Sequence, residues 1–526
     1  MKMRSFFFLS AIALLFSGGL YGQSYTETAL LFSQTRPGGS ARIQALGGTQ
    51  ISLGGDFSSA YSNPAGLGMY NRSEFALSIG QRGITNDTRY FGTKVSEDDS
   101  KLNIPGFAAV FNVPSGRDGG SFIGGSFAIS FNRINDFNNT IRYRGDNNAN
   151  SIIPSFMEAA WGATTDQFME GGYNYNSPVG LAYYNYLFGP TDALDPSFPR
   201  DQYFTDVQSN FQEYLSDARQ AEQIVTSGAS NQWSISYGAN FDDRIFVGGG
   251  IGITSIRYKS NKLFSESYDV DPFFTGLELD ETLRITGSGI NATLGAIFRP
   301  VDFIQVGVAY TTPTYYELVE RYEAWMDTEW KQFDYYGDGK TILDNESAGT
   351  DVVTSEYNFR APSRLSAGAT FLSKYGFVSA DVEYMNPSKA KYSSEIDGIS
   401  YAPENDDIRR DLESTLNFRL GAEFRYNILR VRGGFSSQAS GWANEALGKR
   451  INAISGGLGV RFKRAYVDFA LIQTKRDSQY IPYHLSENGP LFEEVDSGNM
   501  DIQLFSPVVD IKQKILTGMI TIGITY

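Results

Sequence analysis

The sequence predicts an all-β protein, a transmembrane antiparallel β-barrel of about 14 strands with an N-terminal segment in its lumen and long extracellular loops. Three observations predict it. Apolar and polar residues alternate with period two over many separate stretches. The connections between those stretches are alternately short and long. No stretch after the N-terminus approaches the ~18 consecutive apolar residues of a spanning helix, and lipid admits only helices and closed barrels.

The alternation is cleanest at 416–426. Leu416, Phe418, Leu420, Ala422, Phe424 and Tyr426 fall on one strand face, and Asn417, Arg419, Gly421, Glu423 and Arg425 on the other. The strands are expected near 72–82, 104–113, 120–134, 231–241, 244–259, 283–299, 302–313, 364–373, 376–387, 415–427, 429–437, 451–463, 465–474 and 515–526. Most are close to the ~9–11 residues that a tilted strand needs to cross. Short turns fall at Pro114–Gly119, Asp242–Asp243, Pro300–Val301, Ser373–Tyr375, near Asn427–Ile428 and near Lys463–Arg464. Long polar segments, 83–103, 135–230, 260–282, 314–363, 388–414, 438–450 and 475–514, separate them. Bacterial outer-membrane barrels have short periplasmic turns and long extracellular loops, and an even strand number puts both chain ends in the periplasm. The last strand alternates from Leu516 through Ile520, Ile522 and Ile524 and stops on an aromatic, Tyr526.

Composition agrees. The chain has 55 Gly, 32 Tyr and 38 Phe, the mixture that interfacial girdles and crowded strands use. It has no Cys, which excludes disulfides, Cys-ligated metals and a lipid-modified Cys, and its one His, His484, excludes a multi-His metal site. A net charge of −15 is the wrong sign for nucleic acid. Lys2 and Arg4 precede an apolar run from Phe6 to Phe16 and then small residues. That pattern predicts a signal peptide over 1–22 and export to the outer membrane.

Residues 23–71 are too irregular to span and are expected to plug the lumen, their glycines permitting tight turns. The barrel is expected over 72–526. Within it, 135–230 reads as a large extracellular insertion. Phe204, Val207, Phe211, Tyr214, Leu215, Ala218 and Ile224 have the spacing of an amphipathic helix over Asp201–Ile224. Ahead of it lie Phe156, Trp161, Phe168, Tyr173 and Tyr183, which either line the barrel mouth or pack within the loop.

At Asn63, Pro64 and Ala65, in SNPAGL after a Gly/Ala-rich stretch, the sequence resembles the hatch of the FadL-type transporters of long-chain fatty acids and aromatic hydrocarbons. FIQVGVAYTTPTYYEL, APSRLSAGATFL, GFVSADVEYMNPSKAKY, VRGGFSSQ, ISGGLGVRF and AYVDFALIQT are similar to successive strands of that family. The resemblance covers nearly all of 23–526. It implies a 14-stranded barrel, a hatch inside it, and passive uptake of a hydrophobic compound with lateral exit. The hatch also resembles FadL-like relatives that serve secretion or assembly complexes in Bacteroidota, so a non-transporting subunit docked to other outer-membrane proteins is the alternative.

Alternation turns Asp381, Glu383, Arg419, Glu423, Arg425, Arg430, Arg432 and Asp468 inward. Facing lipid, an Arg at mid-depth would cost roughly 2–4 kcal/mol. These residues either hold the hatch to the wall or meet a ligand carboxylate, which an Arg can grip bidentately. No catalytic motif, metal site or cofactor is expected. The expected partners are outer-membrane lipids and a hydrophobic small molecule.

Overall fold

The computed structural model describes residues 24–526 except Pro37, 115–119, Tyr173, 191–201, Asp206, 208–217, 270–272 and 492–502. The segments 1–22 and 208–217 and the side chain of Tyr173, all named in the expectations above, lie outside the described residues. Fourteen antiparallel strands close into one barrel. They are β1 (Glu74–Tyr90), β2 (Thr93–Pro114), β3 (Phe122–Asp136, resuming as Asn139–Asn147), β4 (Ala218–Phe241), β5 (Ile245–Ser267), β6 (Phe274–Val301) and β7 (Ile304–Thr311, then Thr314–Asp334). Then come β8 (Val353–Ala361, then Arg364–Ser373), β9 (Gly376–Met385), β10 (Thr415–Tyr426), β11 (Leu429–Gln438), β12 (Ile451–Arg461), β13 (Ala465–Tyr480) and β14 (Val509–Thr525). Each pairs with the next, and β1 pairs with β14 from Glu74↔Thr525 to Arg89↔Asp510, so the sheet has no bare edge there.

The burial is that of a soluble protein turned inside out. Along β10 the apolar residues are exposed, Leu420 at 50% and Phe424 at 54%, whereas Arg419 and Glu423 are 8% and 5% exposed. The same outward row runs round the barrel through Ile79, Ile235, Ile251, Leu294, Val308, Val378, Val431, Leu458, Phe469 and Ile520, and forms the lipid belt.

All the expected strands are present, but several expected loops are not loops. Segment 83–103 is a continuous hairpin of β1 and β2 that turns at Phe91–Gly92. Segments 260–282 and 314–363 are mostly upward extensions of β5, β6, β7 and β8. Polar residues outside the bilayer still pair their backbones, and a ladder already nucleated below continues at little cost. Two-residue breaks at Thr312–Pro313 in β7 and Pro362–Ser363 in β8 face each other across the register, because proline has no ladder donor. The expected helix over Asp201–Ile224 is corrected at both described parts: Tyr203–Phe204 pairs as a two-residue strand with Gly189–Pro190, and 218–224 is the start of β4, paired with β5. The apolar spacing that fitted period 3.6 there also places Ala218 and Ile224 on the buried strand face.

Above the belt, helices α4 (Ile153–Ala160) and α5 (Pro178–Tyr184) and the tips of β4–β7 share a core that includes Ile153, Phe156, Phe168, Leu181, Phe188, Phe274 and Trp330. At roughly 1.5–3 kcal/mol for each fully buried large side chain, this core holds a cap over the mouth.

Inside the barrel, residues 24–71 form α1 (Tyr25–Ser33), α2 (Ala41–Ala45), α3 (Ser59–Ser62) and a 3-10 turn (Pro64–Met69). Wall glycines make room for them. A Cβ on Gly238 or Gly248 would strike Pro64, on Gly295 Asn63, on Gly307 Ile51, on Gly421 Leu46 and on Gly434 Gly47. The plug backbone therefore lies directly against the strands. Gly295→Ala should lose about 1–3 kcal/mol through overpacking, read as a lowered denaturation midpoint in lipid. Gly518→Ala, whose Cβ would meet nothing within 4 Å, should not.

Candidate functional site

The plug is fastened to the wall by buried charge. Asp381 Oδ2 accepts from the backbone N–H of Gln50 at 2.7 Å and of Ile51 at 3.0 Å. Glu423 accepts from Arg432 Nε at 2.7 Å and Arg425 Nε at 2.7 Å, and lies 3.8 Å from Arg42 of α2. Arg432 also donates to Asp468 at 2.7 Å, and Arg461 grips the same carboxylate with two 2.9 Å bonds. Arg42 continues to Asp56 of the plug at 3.8 Å, and Asp56 accepts from Ser40 and Ser58. Arg419 donates to Glu383 at 3.0 Å. Of the inward residues named from sequence, Arg430 stands apart: it donates to the carbonyls of Asn427 and Leu429 at the lower turn.

In SNPAGL, Asn63 Nδ2 donates to the carbonyl of Ile51 at 2.6 Å, and its Oδ1 accepts from the backbone N–H of Ala65 at 3.2 Å. One side chain thus caps the 3-10 turn and ties it to the irregular stretch around Ile51. Pro64 sits at the first helical position, where a missing N–H costs nothing.

Sequence reasoning missed Arg42, Asp56 and Arg461. A signal existed for two of them: between Gly38 and Met69, Arg42 and Asp56 are the only charged residues, and an isolated opposite pair in a glycine-rich plug has few places to go.

The wall is incomplete at one seam. β2 pairs with β3 only from Pro114↔Gly124 up to Gly106↔Asn132. Above that, β2 remains paired with β1 alone, while β3 shifts register between Arg133 and Asn135 and bends inward. The resumed strand pairs with β4 on one side. Its other edge is met by side chains of β1: Arg82 donates to the carbonyl of Asn138 at 3.1 Å, Asn86 to Thr140 at 2.6 Å and Thr88 to Arg142 at 2.7 Å. The bend is held from inside, where Asn135 donates to the carbonyls of Leu31 and Gln34 and the Arg36 backbone donates to that of Ile134. Leu102 and Ile104 of β2 stand exposed beside it.

A cavity of about 960 Å³ lies between α1, the cap and the wall, and reaches this seam. Leu30, Leu31, Phe137, Ile141, Trp161, Ile224 and Trp442 give it an apolar surface. At the seam end it is lined by Arg36, Arg82, Asp136 and Arg476. Asp136 is already engaged by Arg82 at 3.0 Å, Arg133 at 2.9 Å and Asn138. The guanidinium groups of Arg36 and Arg476 have no ion pair or hydrogen bond among the described residues. At the opposite end Glu158 of α4 accepts from the backbone N–H of Ser486, and burial pushes its carboxyl up to about 7. His484, also lining the cavity, is lowered by burial. Of the expected mouth aromatics, Trp161 lines the cavity, Phe156 and Phe168 lie in the cap core and Tyr183 packs against it.

A closed barrel with an apolar belt, a filled lumen and a capped mouth defines an outer-membrane β-barrel with an internal plug. No family model matches the sequence, and no curated protein matches it. Among solved structures, the crystal structure of a Pseudomonas aeruginosa FadL homologue is similar over 94% of this chain and 99% of its own, with a TM-score of 0.51 and 11% identity. The Ralstonia pickettii toluene transporter TbuX aligns over 93% of this chain and 99% of its own, with a TM-score of 0.48 and 14% identity. The first likeness shows that the chain has a FadL-like barrel fold.

Arg432→Met should destabilise the protein by about 3 kcal/mol, because it strands buried carboxylates that Arg425 and Arg461 only partly satisfy. Arg432→Lys should fall between, since a lysine keeps the charge but cannot span Glu423 and Asp468 together. Denaturation in lipid vesicles measures both.

Proposed function

We propose that this protein is an outer-membrane channel for passive uptake of hydrophobic small molecules, which enter the capped cavity from outside and leave sideways through the seam between β2 and β3. One observation carries the reading: Asn135, Asp136 and Phe137 belong at once to the bend that opens the seam and to the cavity lining. A molecule in the cavity is therefore next to the lipid without having crossed the plug, which is fastened by buried ion pairs. The start of β1 and the C-terminal end of β14 then face the periplasm, since Glu74 and Thr525 pair at the end of the barrel that carries the short turns at Asp242, Asn427 and Lys463, whereas the described N-terminal residues lie up in the lumen, with Tyr25 against Tyr357, Tyr392 and Tyr401.

The seam-end arginines narrow the substrate. A wholly neutral hydrocarbon would leave the Arg36 and Arg476 guanidinium groups without an ion pair, whereas an amphiphile with a carboxylate would satisfy them and lay its tail against Leu30, Leu31 and Ile141.

Two experiments test this. Ile104→Cys and Asn138→Cys flank the seam in a chain that otherwise has no Cys. Bridging them with a cleavable thiol reagent should reduce liposome uptake of a labelled fatty acid to the level of protein-free vesicles, and cleavage should restore it. Unchanged uptake rules out the lateral route, and a stoichiometric protein partner on gentle purification would point to the assembly-subunit reading. In the second experiment, Arg36→Gln with Arg476→Gln should weaken binding of dodecanoate about 10–100-fold, the worth of one or two charge-assisted bonds, and leave dodecanol unchanged.

A further inference from the structure

We propose that the outer face of β5–β7 binds the anionic headgroup of an outer-leaflet glycolipid through Lys259, Arg284 and Arg321. The register places these residues side by side on three neighbouring strands: Lys259 is opposite Arg284, and Arg284 is opposite Arg321. All three point outward, Arg284 and Arg321 exposed and Lys259 partly so. Arg257 joins them two residues lower on β5, on the same face.

Like charges directly opposite each other destabilise a sheet. Elsewhere on this barrel such a pair is relieved from within: Lys475 faces Lys514, and Lys514 reaches Asp87 at 3.0 Å. The β5–β7 row has no such relief. None of Lys259, Arg284 and Arg321 takes part in an ion pair or hydrogen bond among the described residues. The nearest outward carboxylates stand on other rows: Glu323 and Asp280 above, the latter within electrostatic reach of Lys259, and Glu356 below. None of these carboxylates forms an ion pair with the row, so a further anion from outside the chain completes its compensation.

Height selects the partner. The belt on these strands ends at Ile253, Ile290 and Tyr315, which share one row. Six residues further up at ~3.3 Å each, on strands tilted by ~40°, put the cations about 15 Å above the hydrocarbon. A phospholipid phosphate lies below that. Phosphates or carboxylates on the sugars of a glycolipid reach it, and the long side chains bend down to meet them.

The test uses the full chain in nanodiscs doped with a phosphorylated glycolipid, the same glycolipid after dephosphorylation, or phosphatidylglycerol, and reads retained lipid by native mass spectrometry. The phosphorylated glycolipid should be retained selectively. Lys259→Gln, Arg284→Gln and Arg321→Gln should each lower retention about fivefold, and the triple variant should abolish selectivity. Lys374→Gln with Arg464→Gln, at the other end of the barrel, should change nothing. Equal retention of the dephosphorylated lipid or of phosphatidylglycerol, or full selectivity in the triple variant, overturns the proposal. Because the readout does not involve the cavity or the seam, it stands or falls separately from the channel reading.

Discussion

The bilayer accepts no unpaired polar group, and every level of this structure follows from that refusal. Backbone donors are satisfied by closing the sheet between β1 and β14. Side chains are sorted by turning apolar residues out and polar residues in. The second solution creates a problem, since a lumen lined by Asp381, Glu383, Arg419, Glu423, Arg432 and Asp468 is stable only if those charges find each other or find water.

The plug is the complement to that lining. Its buried backbone N–H groups at Gln50 and Ile51 take Asp381, and its Arg42 joins the Glu423–Arg432–Asp468 chain. Close approach demands that the wall carry no side chain where the plug backbone passes, which is why Gly238, Gly248, Gly295, Gly307, Gly421 and Gly434 recur on separate strands at the plug's level. Charge sets where the plug sits, and glycine sets how near it comes. At the seam the wall gives up its ladder. There the plug and β1 side chains take over the hydrogen bonds of β3, so the opening leaves few groups unpaired.

Legibility from sequence varied with the range of the interactions concerned. Strands such as 364–373 and 415–427 were readable because period two is a local property, and their structural bounds nearly coincide with the expected ones. The inward direction of Glu423 and Arg432 followed from the same parity. The loops 83–103, 260–282 and 314–363 were misjudged because loss of apolar character marks the end of the membrane rather than the end of the strand. The helix expected over Asp201–Ile224 failed at 218–224, where a short apolar series fits both periods and pairing with β5 decides. Arg36, Arg82 and Arg476 had no sequence signal, being scattered over the lumen segment, β1 and β13.

By itself the sequence determined that this chain crosses a membrane with strands, which face of each strand meets lipid, and which charges turn inward, because each of these depends on alternation between neighbouring residues. Only the tertiary structure decided how those inward charges are shared with the plug, where the wall opens and what stands beside the cavity. Those outcomes depend on which strands become neighbours once the barrel closes, and on a bend in β3 whose hydrogen bonds come from residues about a hundred positions away.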